Sequence, residues 1–319
     1  ESQILNAIDK WLDKEVKDKV LALDHADEYP IQMVEQMKSL GLFGATISQK
    51  YGGLGMPSAS YAKVVTAVSE VWMSLSGIFN SHLIMAAAVE RFGTEDQKQR
   101  FLPKFATGEI RGGLALTEPS CGTDLQAIRT KAHKEGDHYL INGSKTWISN
   151  GIEGDCVALL VKTDTEIQPR HKGMSLFLAE KGPGFSAGPK LEKLGYKGID
   201  SAELFFDNYV IAADNLIGGE EGHGFHHTVG GLELGRINVA ARGVGVASAA
   251  LKAATSYAQT RETMGKPIGQ HQAIQTKLGD MATRCHAARL LVQDAARAYD
   301  RGERCDMEAG MAKLFASEA

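Results

Sequence analysis

The chain has 319 residues, of which 43% are hydrophobic and 23% are charged, and its formal net charge is −4 with a pI near 6.2. This length predicts two or three subdomains rather than one small core. The lysines and arginines are scattered along the chain, which excludes the concentrated basic surface of a nucleic-acid-binding protein.

The four cysteines lie far apart and form no C-x-x-C pair, which argues against a disulfide framework or a zinc site and favours a reducing compartment. They are Cys121, Cys156, Cys285 and Cys305. No apolar run approaches the length of a membrane span, and the charged, amphipathic start is unlike a signal peptide. A first residue of Glu1 rather than Met predicts a trimmed or processed beginning.

Residues 1–112 are predicted to form an all-helical domain. Apolar residues recur at helical spacing within the first 23 residues, and a second helix covers residues 31–40. Two further helices, over residues 59–71 and 77–92, are largely apolar and are therefore predicted to be buried.

The next helix has a clear start signal. Thr94 and Gln97 form a capping-box pattern, which predicts a helix that runs to about Ala106. Pro103 lies inside this pattern and is expected to kink or shorten the helix, because proline lacks the N–H that a helix interior uses.

Residues 113–221 are predicted to form a β-domain of sandwich or barrel type. Short stretches with period-2 alternation are separated by turn residues, which is typical of a sheet built from short strands. These stretches cover residues 137–143, 156–161, 174–178 and 201–210, and the polar residues 163–172 are predicted to form a hairpin loop.

Residues 222–319 return to the helical period and are predicted to form a helical bundle. Long helices are expected over residues 225–261 and 273–301, followed by a third that Asp306 caps and that is still running at Ala319. Because helical and strand segments are segregated along the chain, the predicted fold class is α+β, mostly α, rather than a doubly wound nucleotide-binding fold.

Two sequence patterns in residues 222–319 resemble ligand-binding patterns, and both are better explained without a ligand. Gly243, Gly245 and Ser248 superficially match a dinucleotide-binding fingerprint, but no strand precedes them, so close helix packing explains them better. Helical metal pairs require i, i+4 spacing together with carboxylate support and a second shell, so no metal is predicted at the cluster of three histidines at positions 223, 226 and 227.

Two short segments carry the residues best suited to a ligand. Residues 114–124 follow an apolar run and combine hydroxyls, small residues and a glycine, so the backbone can approach a flat or charged ligand and offer N–H and O–H donors. Residues 147–151 place Trp147 beside Ser149, which suits covering a ring and hydrogen-bonding its edge. Taken alone, the same residues also fit an ordinary corner and a core tryptophan.

Three motifs, in order, resemble those of the acyl-CoA dehydrogenase family. They are Leu116-Thr117-Glu118-Pro119-x-x-Gly122-Thr123-Asp124, Asn142-Gly143-x-Lys145-x-Trp147-Ile148-Ser149-Asn150-Gly151, and Arg261-x-x-x-Gly265-Lys266-Pro267-Ile268 with His271-Gln272. The resemblance covers essentially the whole sequence. It implies an N-terminal helical domain, a middle β-domain and a C-terminal helical bundle. FAD would lie between the β-domain and the bundle, with part of its site supplied by a neighbouring subunit.

The resemblance also implies which residues contact FAD. Thr117 would hydrogen-bond the pyrimidine part of the flavin, Trp147 would pack on the ring, and Ser149 would lie near flavin N5. Arg261 would bind the FAD diphosphate of the adjacent subunit, since a planar guanidinium suits two phosphate oxygens. The full set is Leu114, Leu116, Thr117, Gly122, Thr123, Trp147, Ile148, Ser149, Arg261 and Gln272.

For the substrate, the resemblance implies contacts from Thr123 and Arg236, and a structural ion pair is the alternative role of Arg236. No catalytic base is visible. The family's usual glutamate would lie beyond Ala319, and Gly235 occupies the alternative position in the bundle. Omission of a C-terminal segment is one explanation, and a member that binds acyl-CoA and FAD without desaturation is the other.

The predicted function is desaturation of an acyl-CoA thioester across Cα–Cβ, with hydride transfer to flavin N5 and electrons passed to electron-transfer flavoprotein. The implied assembly is a homotetramer or a homodimer. Two alternatives stay open, a flavin oxidase or monooxygenase on the same fold and a non-catalytic acyl-CoA- or FAD-binding protein. The expected compartment is the bacterial cytoplasm, with the mitochondrial matrix as the alternative.

Overall fold

Helices lie at both ends of the chain and strands lie in its middle, which confirms the predicted fold class. The computed structural model describes residues 2–319. The helices are α1 (Ser2–Trp11), α2 (Val20–Ala26), α3 (Ile31–Ser39), α4 (Ser58–Phe92), α5 (Glu95–Thr107), α6 (Gly224–Thr260), α7 (Gln272–Asp300) and α8 (Asp306–Glu318). The strands are β1 (Gly112–Ala115), β2 (Lys131–Glu135), β3 (His138–Ser149), β4 (Cys156–Lys162), β5 (Met174–Glu180), β6 (Phe185–Lys190), β7 (Ser201–Ala212), β8 (Glu262–Thr263) and β9 (Lys266–Pro267).

The chain folds as two compact units, and neither unit is continuous in sequence. The bundle unit comprises residues up to 22, residues 57–76 and residues 233–319. The sheet unit comprises residues 23–56 and 77–232. The predicted ligand loop therefore belongs to the sheet unit, together with the whole seven-stranded sheet.

The seven-stranded sheet of the sheet unit is mixed. Its strand order is β1-β4-β2-β3-β7-β6, and β5 pairs with β4 outside this path. β1 runs parallel to β4, whereas β3 pairs antiparallel with both β2 and β7. The predicted hairpin loop at residues 163–172 is confirmed, because it joins the antiparallel strands β4 and β5. The residues of β4 are buried from Cys156 to Val161, as expected for a central strand.

Small residues allow the helices of the bundle unit to approach closely. A Cβ atom at Gly245 would lie 2.6 Å from the carbonyl oxygen of Thr66, and one at Gly243 would lie 2.6 Å from the carbonyl oxygen of Ala316. Both distances are shorter than a carbon and an oxygen tolerate. The explanation of these glycines as helix-packing positions is confirmed, and they lie within α6 rather than after a strand.

Two local predictions need correction, and a third is confirmed. The helices expected at residues 59–71 and 77–92 lie within α4, which a kink at the extended backbone of Trp72 (φ −153°, ψ 106°) divides into two helices. Pro103 does not end α5, which continues to Thr107 after the confirmed capping box. The carbonyl that loses its partner is that of Gln99, which is exposed, so water can satisfy it. Asp306 is the first residue of α8 rather than its cap, and its carboxylate accepts from Arg304 at 2.6 Å.

The expectation that no apolar segment reaches membrane-spanning length is wrong for one helix. Among the described residues, α4 is long and apolar enough to cross a bilayer. However, 72% of its most apolar stretch is buried inside the structure, which is the behaviour of a core helix. Length and composition are thus weak evidence for a span here.

His82 connects α4 to α5 and to the start of β1. Its Nε2 atom lies 3.0 Å from the carbonyl oxygen of Phe105, and its Nδ1 atom accepts the N–H of Gly112 at 3.3 Å. Only a neutral ring can donate at one nitrogen and accept at the other. Burial lowers the pKa of His82 to about 4, in agreement with this neutral form.

The first prediction concerns helix packing. Gly245→Ala should lower the free energy of unfolding by about 1–3 kcal/mol, because the new methyl group overpacks against the Thr66 backbone. Gly279→Ala, on the exposed side of α7 with nothing within 4 Å of its new Cβ, should instead be neutral or raise stability by up to about 1 kcal/mol. Denaturant unfolding of both variants measures the contrast. Equal losses in the two variants would contradict the close-packing role.

The second prediction concerns pH. Unfolded histidine takes up a proton near pH 6.5, whereas folded His82 stays neutral down to about pH 4, so stability falls as the pH is lowered across this window. The difference between the two pKa values contributes at most about 3.5 kcal/mol to the free energy of unfolding, at about 1.4 kcal/mol for each pH unit between them. His82→Gln should flatten the dependence of unfolding free energy on pH between 6.5 and 4. The exposed control His133→Gln should leave it unchanged, and identical slopes in both variants would refute the assignment.

Candidate functional site

The predicted ligand loop leaves the sheet at the end of β1. Leu114, Leu116 and Thr117 are partly exposed, whereas Gly122 and Thr123 are exposed. A tight turn shapes the loop, since the N–H of Glu118 donates to the carbonyl of Cys121 at 2.9 Å and the reverse bond measures 3.1 Å. The side chains available to a ligand therefore lie on both sides of one turn.

The second predicted segment is shaped by a bulge in β3. Lys145 pairs with Leu204, and Ile148 pairs with Ala202, so β3 carries one extra residue against β7. The bulge places Trp147 in a left-handed backbone conformation (φ 60°) with its side chain 58% exposed. Such a conformation is rare for a bulky residue, and bulges commonly redirect a side chain near a functional site. The indole thus faces outward from the sheet.

The residues that flank Trp147 differ in orientation. Ile148 is only 2% exposed and packs in the core of the sheet, while Ser149 is partly exposed at the end of β3. Ile148 can therefore approach a cofactor through its main chain but not through its side chain. Of the three predicted residues, Trp147 has an exposed ring, Ile148 is buried in the core and Ser149 has an accessible hydroxyl.

The structure brings the loop and the bulge together. The N–H of Thr146 donates to the carbonyl of Thr117 at 2.9 Å. The Nζ atom of Lys145 lies 2.8 Å from Glu118 Oε1 and 3.0 Å from the carbonyl oxygen of Leu116. Thr117, between Leu116 and Glu118, is thus held beside the strand that carries Trp147.

The Lys145–Glu118 ion pair is buried. The side chains of Lys145 and Glu118 are 0% and 4% exposed. Burial alone would raise the pKa of Glu118, but the Lys145 ammonium and the hydrogen bonds at its carboxylate lower it overall. Burial lowers the pKa of Lys145, and Glu118 offsets part of that effect. The pair is therefore a structural element in which each charge depends on the other.

Neither member of this pair was given a role from the sequence. The period-2 alternation of β3 could have identified Lys145 as buried. Tyr139 and Ile141 face the core, and Lys145, four residues after Ile141, lies on the same face. A lysine on the buried face of a strand requires a buried anion. The glutamate of the loop motif was the available candidate.

The remaining predicted residues belong to the bundle unit. Arg261 directly follows α6 and is exposed, and Gln272 opens α7, also exposed. The short hairpin β8–β9 lies between them, with Met264 95% exposed at its turn. The sequence did not predict this hairpin. Its turn pairs Met264 (φ 53°) with Gly265 (φ 73°), the conformation that two-residue hairpins require.

Arg236 has a partner within the bundle unit. Its Nη1 atom lies 3.6 Å from Asp306 Oδ1, and both side chains are partly exposed, so the ion pair is weak. About 24 helical residues separate Arg236 from Arg261, or roughly 36 Å along α6 at about 1.5 Å per residue. The structure thus keeps these two arginines apart. Gly235, before Arg236, is buried.

The three histidines near the start of α6 take part in aromatic packing in the sheet unit. His227 stacks on Phe92 with ring centroids 4.5 Å apart, and His226 meets the same ring edge-on at 5.4 Å. His223 and His227 have centroids 5.9 Å apart. Burial, followed by the charges of the two other histidines, lowers the pKa of His227 to about 4. Packing against Phe92 accounts for the cluster.

All three regions of the chain match models of one family. Residues 1–109 match "Acyl-CoA dehydrogenase, N-terminal domain", residues 113–209 match the middle domain and residues 222–319 match the C-terminal domain. The chain belongs to the acyl-CoA dehydrogenase family. It is therefore an oxidoreductase and a flavoprotein whose cofactor is FAD.

Individual relatives agree with this membership. An acyl-CoA dehydrogenase of Bacillus subtilis is 41% identical over 308 residues, covering 96% of this chain and 80% of the relative. The mitochondrial isovaleryl-CoA dehydrogenase of Pongo abelii is 33% identical, covering 99% of this chain and 75% of the relative. The solved structure of butyryl-CoA dehydrogenase from Megasphaera elsdenii superposes with a TM-score of 0.96 at 34% identity, covering 99% of this chain and 84% of that one.

The residues of the sheet unit fit an FAD molecule. An outward-facing indole can cover one face of a flat ring system. Within the described part of the chain, the hydroxyls of Thr117 and Ser149 form no hydrogen bond, so both are free to bind a ring edge. The loop turn adds exposed backbone at Gly122. Aromatic cover and unpaired donors are what an FAD ring requires.

The third prediction tests the orientation set by the bulge. Trp147→Ala in the FAD-free protein should change the free energy of unfolding by no more than about 0.5 kcal/mol, because the indole is largely exposed. Ile148→Ala, one residue along, should lower it by about 2–5 kcal/mol, because it empties a core position. Chemical denaturation followed by far-UV circular dichroism measures both. A large loss for Trp147→Ala would show that the indole packs inward.

Proposed function

We propose that the protein is an acyl-CoA dehydrogenase that introduces a Cα–Cβ double bond into an acyl-CoA thioester and passes the electrons to electron-transfer flavoprotein. The observation that supports this proposal is the joined loop and bulge, which place two unpaired hydroxyls and an exposed indole in one region of the sheet unit. The named activities of the related dehydrogenases support the substrate class.

The residues of the sheet unit would bind the flavin part of FAD. The Thr117 hydroxyl would donate to the pyrimidine edge, and Ser149 would lie near N5, with Trp147 covering the ring. Leu114, Leu116, Gly122 and Thr123 would line the site, and Ile148 would contribute its main chain. The chemistry that FAD supplies when bound is acceptance of a hydride. A donor fixed in advance where negative charge develops needs no reorganisation during the reaction.

The residues of the bundle unit would bind the other parts of the ligands. Arg261 and Gln272 would hold the FAD diphosphate and its surroundings, and Arg236 would bind acyl-CoA, together with Thr123 of the loop. The exposure of Arg261 supports a contact made with a second copy of the chain. We therefore propose a homo-oligomer, a tetramer as is typical of the family or a dimer.

The proton acceptor is left unassigned. Removal of the α-proton requires a base, and a carboxylate beside flavin and ligand is suited because burial raises its pKa. Gly235 has no side chain that could accept a proton, so the bundle position is excluded. A glutamate elsewhere in the complete site remains the prediction.

We also propose three domains along the sequence, residues 1–112, 113–221 and 222–319. The family matches at residues 1–109, 113–209 and 222–319 support this division. The proposed compartment is the bacterial cytoplasm, with the mitochondrial matrix as the alternative, and relatives of both origins exist.

The fourth prediction tests the reaction. Anaerobic addition of acyl-CoA thioesters of increasing length to the FAD-loaded protein should bleach the flavin absorbance with at least one of them, since reduction removes the oxidised band. Thr117→Val should weaken FAD binding by about tenfold through the loss of one hydrogen bond, while Thr165→Val, in an exposed loop, should not.

Three other outcomes would redirect the proposal. A flavin band that shifts without bleaching would indicate binding without proton removal. Rapid oxygen consumption by the reduced protein would favour a flavin oxidase or monooxygenase. A protein that takes up no FAD would refute the assigned loop.

A further inference from the structure

We propose that the buried pair Lys145–Glu118 is a positioning element that fixes Thr117 and Trp147 in their FAD-binding arrangement before the cofactor arrives, and thereby sets FAD affinity. This inference rests on the proposed flavin site. Neither residue is assigned a contact with FAD or substrate, so the pair would act through its neighbours.

The first support is the completeness of the hydrogen bonding around the pair. Glu118 Oε1 accepts from Lys145 Nζ at 2.8 Å and from the Thr130 N–H at 3.0 Å, and Oε2 accepts from the Arg129 N–H at 2.6 Å. Lys145 makes its second bond to the carbonyl oxygen of Leu116 at 3.0 Å. The pair therefore ties together three backbone stretches, which are the loop around Leu116, the segment that leads into β2, and β3.

The second support is the location of the pair at the two proposed flavin segments. Leu116 and Glu118, which contact Lys145, are the residues on either side of Thr117. Lys145 is also the last regularly paired residue before the bulge that turns Trp147 outward. Neither segment can move without disturbing the same ammonium group.

The third support is the energetic character of a buried pair. An exposed pair such as Lys50–Glu95, at 2.7 Å, can be replaced by water when it opens. Glu118 and Lys145 are almost completely buried, so loss of one partner leaves a buried charge uncompensated. Such a pair contributes little net stability but strongly favours the single arrangement in which both charges are satisfied.

The test uses the 319-residue chain with Lys145→Met, Glu118→Gln and the double variant. The matched control is Lys190→Met, which breaks another lysine–carboxylate contact of the sheet unit, to Asp27 at 2.7 Å, away from the loop. Three quantities are measured for each protein. They are the thermal midpoint, the FAD dissociation constant from flavin fluorescence, and amide hydrogen exchange of residues 114–130 and 144–150 without FAD.

We expect Lys145→Met to remain folded, to exchange faster within those two segments only, and to bind FAD about tenfold or more weakly, the effect of one lost or misdirected hydrogen bond. Glu118→Gln keeps the shape but only one of the two backbone bonds, because an amide nitrogen cannot accept from an N–H, and it leaves the Lys145 charge unpaired, so its effect should be in the same direction. Effects of the single variants should not add in the double variant, because both remove one interaction. Lys190→Met should leave FAD affinity unchanged, even if it lowers the thermal midpoint.

The results separate failure of this inference from failure of the proposed function. Unchanged exchange in both segments of Lys145→Met would overturn the positioning role, whether or not FAD binds. An equal loss of FAD affinity in Lys190→Met would also overturn it, by showing a general destabilisation. Absence of FAD binding by the unaltered chain would refute the flavin site alone, while the exchange data would still decide what the pair holds. Should Lys145→Met fail to fold, the same criteria apply to Glu118→Gln.

Discussion

A lysine and a glutamate sealed from water constrain the sheet unit more than any other contact at the site. Lys145 and Glu118 satisfy each other at 2.8 Å, and their remaining hydrogen-bonding capacity is directed at backbone groups of Leu116, Arg129 and Thr130. Because a buried charge cannot exchange its partner for water, each of these backbone segments has one acceptable position. The pair lies between the loop turn and the strand bulge, which are the features that expose Thr117 and Trp147.

The strained end of β3 is held by a second set of buried contacts. Asn150, like Trp147, has a left-handed backbone (φ 60°), and its amide donates to the carbonyls of Ile78 and Gly112, each at 2.9 Å. The N–H of Gly112 in turn donates to His82. Gly112 therefore links the end of β3 to α4 at the position where β1 begins. Strain of this kind persists only where the surroundings determine it from several sides.

Local signals predicted the fold well, and contacts distant in sequence explain what they missed. The capping box of Thr94 and Gln97 and the apolar run of β4 depend on neighbours along the chain, so the sequence alone identifies them. The bulge before Ile148 depends on the pairing of β3 with β7, which no local pattern contains. The motifs located the candidate loop by resemblance. They did not reveal that Lys145 joins it to Trp147, because a motif records residue types and not which of them touch.

His82 and Glu118 lose their contributions to stability at different pH values as the pH is lowered. His82 resists protonation down to about pH 4, so its share of stability begins to fall once the pH drops below about 6.5. Glu118 has a lowered pKa, so its share is complete above about pH 4.5, the ordinary value, and is lost only as the pH falls through its folded pKa. The contribution of His82 to the free energy of unfolding therefore begins to decline at a higher pH than that of Glu118. Within the folded protein the His82 ring stays neutral down to about pH 4, so its contact with Gly112 persists while stability declines, because it is the unfolded chain that takes up the proton.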